Sequence, residues 1–160
     1  MSAPELHRNA RRVVESARER GLELRVHRHE GARTAQQAAD LIGCPVGAIV
    51  KSIVLHSDQG PLLVLASGDN QVDLAKAAAA LGRTGVRRAD ADEARAATGF
   101  PIGGVAPLGH PEPLPVLFDE DLLGFATVWA AAGTPDLVFP AEPEALRVAA
   151  GARRADIRKG

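Results

Sequence analysis

Apolar and polar positions recur along the chain with two periods, and each change of period marks a new element. Leu6, Ala10, Val13, Val14 and Ala17 fall at helical spacing opposite Arg8, Arg11, Arg12, Glu15 and Arg18, which predicts an amphipathic helix. Ser2-Ala-Pro-Glu5 has capping-box spacing at its start, with Pro4 in the first turn, and Gly21 closes it. Leu22, Leu24 and Val26 then alternate with Glu23, Arg25 and His27, the pattern of a half-buried strand. Thr34-Ala-Gln-Gln37 is a second capping box before a short helix ending at Gly43, and Cys44-Pro-Val-Gly47 is a turn. Ile49 to His56 and Leu62 to Ala66 read as a hairpin around Ser57-Asp-Gln-Gly60.

One residue breaks the pattern of that hairpin. Ile49, Lys51, Ile53 and Leu55 share one face, and Val50, Ser52, Val54 and His56 the other. Two largely apolar faces predict a central strand covered on each side. An unpaired ammonium is too costly to bury, so Lys51 either snorkels to the rim or lines a cavity with an anionic partner.

Beyond the hairpin, Ser67-Gly-Asp-Asn70 is a turn and Asp73 to Leu81 an alanine-rich helix ended by Gly82. Gly85-Val86 reads as a short strand flanked by Arg83, Arg87 and Arg88, and Asp90 caps a helix that Gly99 terminates. Thr98 to His110 follows, with four glycines, two prolines and almost no charge. Phe100, Ile102, Val105 and Leu108 seek burial, so this is no flexible linker. It is either a rigid, backbone-lined wall of a pocket or a tightly packed structural loop. Pro111 to Pro115 is extended and leads into a strand at Val116–Phe118, a helical turn from Asp119, and a strand over Phe125–Ala132. The Gly133-Thr-Pro135 turn, a strand Leu137–Phe139, a helix from Pro143 and a terminal strand Ala155–Ile157 complete the chain.

Composition narrows the chemistry. The 160 residues suit one domain with one real core. Net charge is −1 and aromatics are 3% with no tyrosine, so neither long nucleic acid nor extended base stacking is favoured. Contact with the tip of one RNA stays open. Cys44 stands alone, which removes internal disulfides and cysteine-based zinc clusters. His27 and His29 share a strand face, but only the adjacent Glu30 offers a third ligand, and they read as surface histidines. Asp119, Glu120 and Asp121 lack cation-loop spacing and read as a helix cap. Arg153, Arg154, Arg158 and Lys159 read as a solvated tail that RNA contact would also suit. No apolar run approaches 18 residues and no leader precedes a cleavage site, so a cytoplasmic protein without membrane association is expected.

Four pieces then fall in a familiar order: Thr34-Ala-Gln-Gln-Ala38, Ile49-Val-Lys-Ser-Ile53, Val64 to Leu74, and Gly99 to Gly109. With Gly124 to Phe139 they resemble the YbaK/prolyl-tRNA-editing (ProX-like) aminoacyl-tRNA deacylases over about residues 20–157. The resemblance implies a single α/β domain spanning 1–160, with a curved, mixed sheet forming a partial barrel and helices outside. It implies hydrolysis of the ester joining a wrong amino acid to tRNA, a step in translation fidelity, with the acceptor end as partner and a synthetase as the second candidate. It implies no cofactor, metal, DNA or membrane. By position, Lys51 matches the family's essential lysine, and Gly103, Gly104, Val105, Ala106 and Pro107 match its G-x-x-x-P loop. Thr34, Ser67, Gly68, Asp69 and Gly133 fall at pocket-lining positions. Ala106 departs from the serine or proline of many members. No G-x-S-x-G elbow or placed cysteine offers a covalent nucleophile; water and the substrate's ribose hydroxyl are the expected agents, with Asp69 and His110 the first candidates for a base. The alternative is a non-catalytic relative that binds aminoacyl-tRNA, a synthetase or a nucleotide.

Overall fold

Helix α1 (Arg8–Glu19) buries Ala10, Val13 and Ala17, the stripe that its spacing predicts. The structure, a computed structural model, describes residues 7–160. The Ser2–Glu5 capping box lies outside them; within them, His7 caps the helix, its Nδ1 accepting from the Asn9 N–H at 3.0 Å. The other caps sit where the sequence places them. Thr34 accepts from the Gln37 N–H ahead of α2 (Ala35–Ile42), and Asp73 from the Lys76 N–H ahead of α3 (Leu74–Leu81). Asp90 and Glu93 form a full capping box at α4 (Ala91–Thr98), and Glu142 caps α5 (Pro143–Ala149). Side-chain oxygens satisfy amides that the first helical turn leaves unpaired.

The strands make two sheets that are not closed into a barrel. In the five-stranded sheet the order is β4 (Arg87–Arg88), β2 (Val50–His56), β3 (Leu62–Ser67), β5 (Val116–Asp119) and β8 (Arg153–Ala155). β2 runs antiparallel to β3 and β4, with Lys51 opposite Ala66, while β3–β5 and β5–β8 are parallel. β1 (His27–Arg28), β7 (Leu137–Ala141) and β6 (Val128–Ala131) form the second, antiparallel sheet in that order. A bridge from Ile49 to Trp129 joins the two. This is a mixed, curved α/β architecture, and no helix among the described residues is long and apolar enough to cross a membrane.

β3 is buried throughout, as a central strand with two covered faces must be. Leu63, Leu65 and Phe118 face the larger core, with α1, Phe100 and Phe139; Leu62, Val64 and Leu117 face the smaller one, with Ala77 and Ile157. Truncating a ring such as Phe100 to alanine costs about 3–5 kcal/mol in such a core.

Four strands differ from the pattern-based expectation. Leu22, Leu24 and Val26 lie against the larger core but pair with no strand; pairing starts at His27, opposite Val138. Their alternation reflects side-chain packing, which does not require a ladder. Gly85 takes φ +64° beside Asp58, and β4 begins two residues later. β6 is shorter than Phe125–Ala132: Phe125 caps the 3₁₀ segment Glu120–Gly124, its N–H donating to the Leu122 carbonyl, and pairing with β7 begins only at Val128. The terminal strand is Arg153–Ala155, since Ile157 is spent as a fully buried plug in the smaller core.

Candidate active site

The outer edge of β2 changes character along its length. β4 covers only Leu55 and His56, and the bridge to Trp129 covers Ile49. The Ile49 carbonyl accepts from Gly68 on the β3 side, whereas that of Val54 accepts from Ala89 on the outer side. Antiparallel pairing alternates these directions, so the carbonyls of Val50 and Ser52 also point outward. There they meet a cavity of about 360 Å³ instead of a strand.

The facing wall is the tip of the glycine-rich loop. The Gly104 N–H donates to the Pro101 carbonyl at 2.9 Å, and Gly103 has φ +86°. Non-glycine residues with positive φ are absent among the described residues, so Pro101–Gly104 is a type II turn with glycine where that turn demands it. Ile102 at its corner is 58% exposed and, with Gly103 and Val105, lines the cavity. Trp129, Ala130 and Ala131 of β6 make a third wall with Pro135 and Val138; His29, Arg33, Thr34 and one face of α2 make the fourth.

Lys51 lies on the cavity wall, half-buried, with its ammonium donating to the Asn70 carbonyl. That carbonyl belongs to a rigid hub. Asp119, buried to 1% exposure, accepts from the Ser67 N–H at 2.9 Å and from Asn70 Nδ2 at 2.8 Å. Asn70 Nδ2 also donates to Asp121 at 2.8 Å, and the Ser67 hydroxyl donates to the Gly47 carbonyl at 2.7 Å. Burial lowers the lysine's pKa from the ordinary range, Arg88 adds to this, and Asp119 and Asp69 oppose it. The ammonium is held by one backbone carbonyl, and among the described residues no carboxylate pairs with it directly, which leaves it able to meet an anionic group of a ligand.

The expected site residues therefore separate. Lys51, Gly103, Val105 and Thr34 share one cavity, although the Thr34 hydroxyl is spent on its helix cap. Gly104, Ala106 and Pro107 lie behind it, buried. A Cβ on Gly104 would stand 2.8 Å from the Thr134 backbone, so this glycine serves the close approach of two loops. Ser67, Gly68 and Asp69 belong to the hub beyond Lys51 and do not line the cavity. Gly133 turns from the cavity to α1, its carbonyl accepting from Asn9 Nδ2 at 3.0 Å. His110 is also withdrawn: its Nε2 bonds the Ala106 carbonyl at 2.9 Å and its ring packs edge-on to Phe100.

Residues not named as site residues from the sequence complete the walls: Arg33, Ser52, Trp129 and Pro135, with His29, read there as a surface histidine, and Ile102, expected to be buried. They come from separated segments, and no local spacing links them. His29 Nδ1 accepts from the Gly31 N–H at 3.0 Å, which leaves Nε2 as the N–H of the neutral ring. Burial lowers its pKa, against the pull of Asp136. Among the described residues, no carboxylate and no cysteine lines the cavity. Cys44 lies off it, and burial raises its thiol pKa, opposed by a backbone hydrogen bond.

With cations, backbone edges and small apolar side chains but no acid, such a site orients an ester and an anion rather than attacking covalently. Comparison with known proteins agrees with that chemistry. The model of the aminoacyl-tRNA editing domain matches residues 29–149. The chain belongs to the aminoacyl-tRNA editing domain family. A solved structure of a candidate trans-editing enzyme for prolyl-tRNA synthetase is similar at 46% identity and TM-score 0.91, covering 98% of this chain and 100% of that one. The proline–tRNA ligase of Acidithiobacillus ferrooxidans is 34% identical over 110 residues, 69% of this chain but 19% of the ligase. EbsC of Enterococcus faecalis, a candidate Cys-tRNA(Pro)/Cys-tRNA(Cys) deacylase, is 27% identical over 139 residues, 86% of this chain and 85% of that protein. In this chain the hub and the buried Gly104 and Gly133 pack outside the cavity lining.

Proposed function

We propose that this protein is a trans-editing hydrolase that cleaves the ester between a wrong amino acid and tRNA. The observation that carries the reading is the cavity itself: Lys51, the unpaired edge of β2 and the Pro101–Gly104 turn enclose one space without an acid or thiol. The name of EbsC and that of the trans-editing neighbour support the same activity. Lys51 anchors a phosphate or ribose oxygen of the acceptor end. The carbonyls of Val50 and Ser52 accept from the α-amino group, and the amide of Gly103 faces the ester oxygen. Water attacks the carbonyl carbon with the neighbouring ribose hydroxyl as the proton relay. The released products are the free amino acid and tRNA.

Orientation alone supplies several kcal/mol to a reaction of an already activated ester. An oxyanion donor adds about 3 kcal/mol. The substrate partner is the acceptor end of tRNA, and a synthetase that leaves the wrong amino acid there is the natural second partner.

The test is single-turnover deacylation over a panel of mischarged tRNAs. Hydrolysis of at least one, well above the spontaneous rate, is expected; binding without turnover of any would overturn the reading. On a tRNA lacking the terminal 2′-hydroxyl the rate should fall about 100-fold or more, as on loss of one proton-transfer partner, with a modest loss of affinity. Equal rates on both tRNAs would place the base on the protein instead.

A further inference from the structure

A second groove, of about 280 Å³, opens between β1, the end of α2 and Trp129. It shares His29, Ile42, Trp129 and Val138 with the cavity, so the two adjoin as a trough in two parts, with the indole lining both. Trp129 is the chain's single tryptophan. It alternates on β6 with the buried Val128 and Ala130 and is itself half-buried, turned to the trough. His27 packs edge-on against it, with centroids 5.5 Å apart and planes at 64°, which fixes the indole's orientation. Leu41, 52% exposed, and Ile42 and Val138 add aliphatic surface to the same groove.

We propose that this groove is a nucleobase subsite: the terminal base of the substrate stacks on Trp129 while the aminoacyl ester fills the larger cavity. This rests on the reading that the substrate is an aminoacyl-tRNA. In such a substrate one ribose joins base and ester, so a berth for the ester requires a berth for the base directly beside it. The groove meets that requirement, lying beside the cavity with four lining residues in common. Its surface suits a flat, uncharged ring. The indole and the aliphatic residues of the groove give stacking and apolar contact, with Arg28 and Glu30 as the charged part of the lining. Arg33 is on the cavity wall and Arg28 at the groove, 3.5 Å from Asp136, both suited to the sugar-phosphate. Stacking accepts any base, since every base has a π-face. The subsite therefore supplies affinity and position, and amino-acid choice stays with the cavity.

The chain has no tyrosine, so its tryptophan emission reports on this groove alone. The probes are the trinucleotide CpCpA and the same trinucleotide with an abasic 3′ ribose. Saturable quenching by CpCpA is expected, with affinity about tenfold or more weaker for the abasic probe. Equal quenching and affinity for both would overturn the subsite. In deacylation, Trp129→Ala should raise KM by about tenfold to a hundredfold, with kcat moving less and Trp129→Phe restoring most of the loss. An unchanged KM in Trp129→Ala, with turnover intact, would sink the subsite and leave the editing activity standing. Base-dependent quenching with no deacylation of any tRNA would instead retire the editing reading and leave the subsite in place.

Discussion

The loop from Thr98 to His110 has two regions that look alike in sequence and differ in place. Ile102 and Gly103 at the tip are exposed to the cavity and Val105 lines it, whereas Gly104 and Ala106 to Gly109 are buried behind it. Gly103 and Gly104 are adjacent yet are glycine for separate reasons. Gly103 needs a conformation, with φ +86°, and a Cβ there would reach Pro135 only at 3.8 Å. Gly104 needs an absence, because its Cβ position is 2.8 Å from the Thr134 backbone. A glycine-rich apolar stretch is therefore not a uniform ligand wall. Most of it holds the turn in place, and a few residues at the corner meet the cavity.

Alanine at each glycine breaks the comparison most sharply. Gly104→Ala pushes against backbone that has no rotamer to yield, and a loss of about 3 kcal/mol or more is expected, at the upper end of overpacking. Gly103→Ala carries only the left-handed strain, about 1–2 kcal/mol, and should fold with a misdirected turn and slower deacylation. Urea denaturation of the pair reads this directly. Equal stabilities would show that the Thr134 loop moves aside and that the two glycines are equivalent.

Lys51→Ala addresses the wall that faces the turn. Deacylation should fall about 100-fold or more, the scale of losing a charge-assisted anchor. Stability should change little, because the folded protein already penalises the ammonium by burial. Near-normal turnover would mark the lysine as a support for the Ser67–Asn70 hub. The lowered pKa has a functional sign too: substrate affinity should decline with rising pH before ordinary lysines titrate, and not in Lys51→Ala.

Much of the fold was legible because its signals are local. Thr34, Asp73 and Asp90 cap helices within three residues, and Leu62 to Ser67 carries no charge because both its faces are covered. Lys51 was conspicuous as the one cation on an apolar strand. The site as a whole was less legible. Trp129 and Arg33 meet only through tertiary structure, and Ser67 and Gly133, placed by resemblance at a pocket, act one layer away. A linear motif records that residues matter together; it does not record which of them touch the ligand.

On the buried side of the loop, His110 links packing to pH. Burial holds its imidazole below the ordinary histidine range, with Arg12 and Arg20 adding to this and its bond to the Ala106 carbonyl opposing it. The folded ring is neutral where the unfolded chain, titrating near pH 6.5, already takes a proton. This part of the stability is complete above about pH 6.5 and is lost as pH falls toward the depressed folded value. His110→Gln should flatten that acid limb in thermal melts, and an unchanged limb would assign it to other groups.

The smallest effect belongs to the exposed corner. Ile102 contributes surface to the cavity and is 58% exposed, so it contributes little to the core. Truncation to alanine removes apolar contact available only to a bound ligand. Losing part of such contact is worth about 1 kcal/mol, given about 25 cal/mol for each Å² removed from water. Ile102→Ala should therefore leave the urea midpoint unchanged and raise KM a few-fold, with the shift depending on the amino acid attached to the tRNA. That dependence is the sharper readout. If Ile102 meets the amino-acid side chain, large residues lose more than small ones across the panel. A uniform shift would place Ile102 against the ribose, and a drop in stability would show that the corner belongs to the packed region after all.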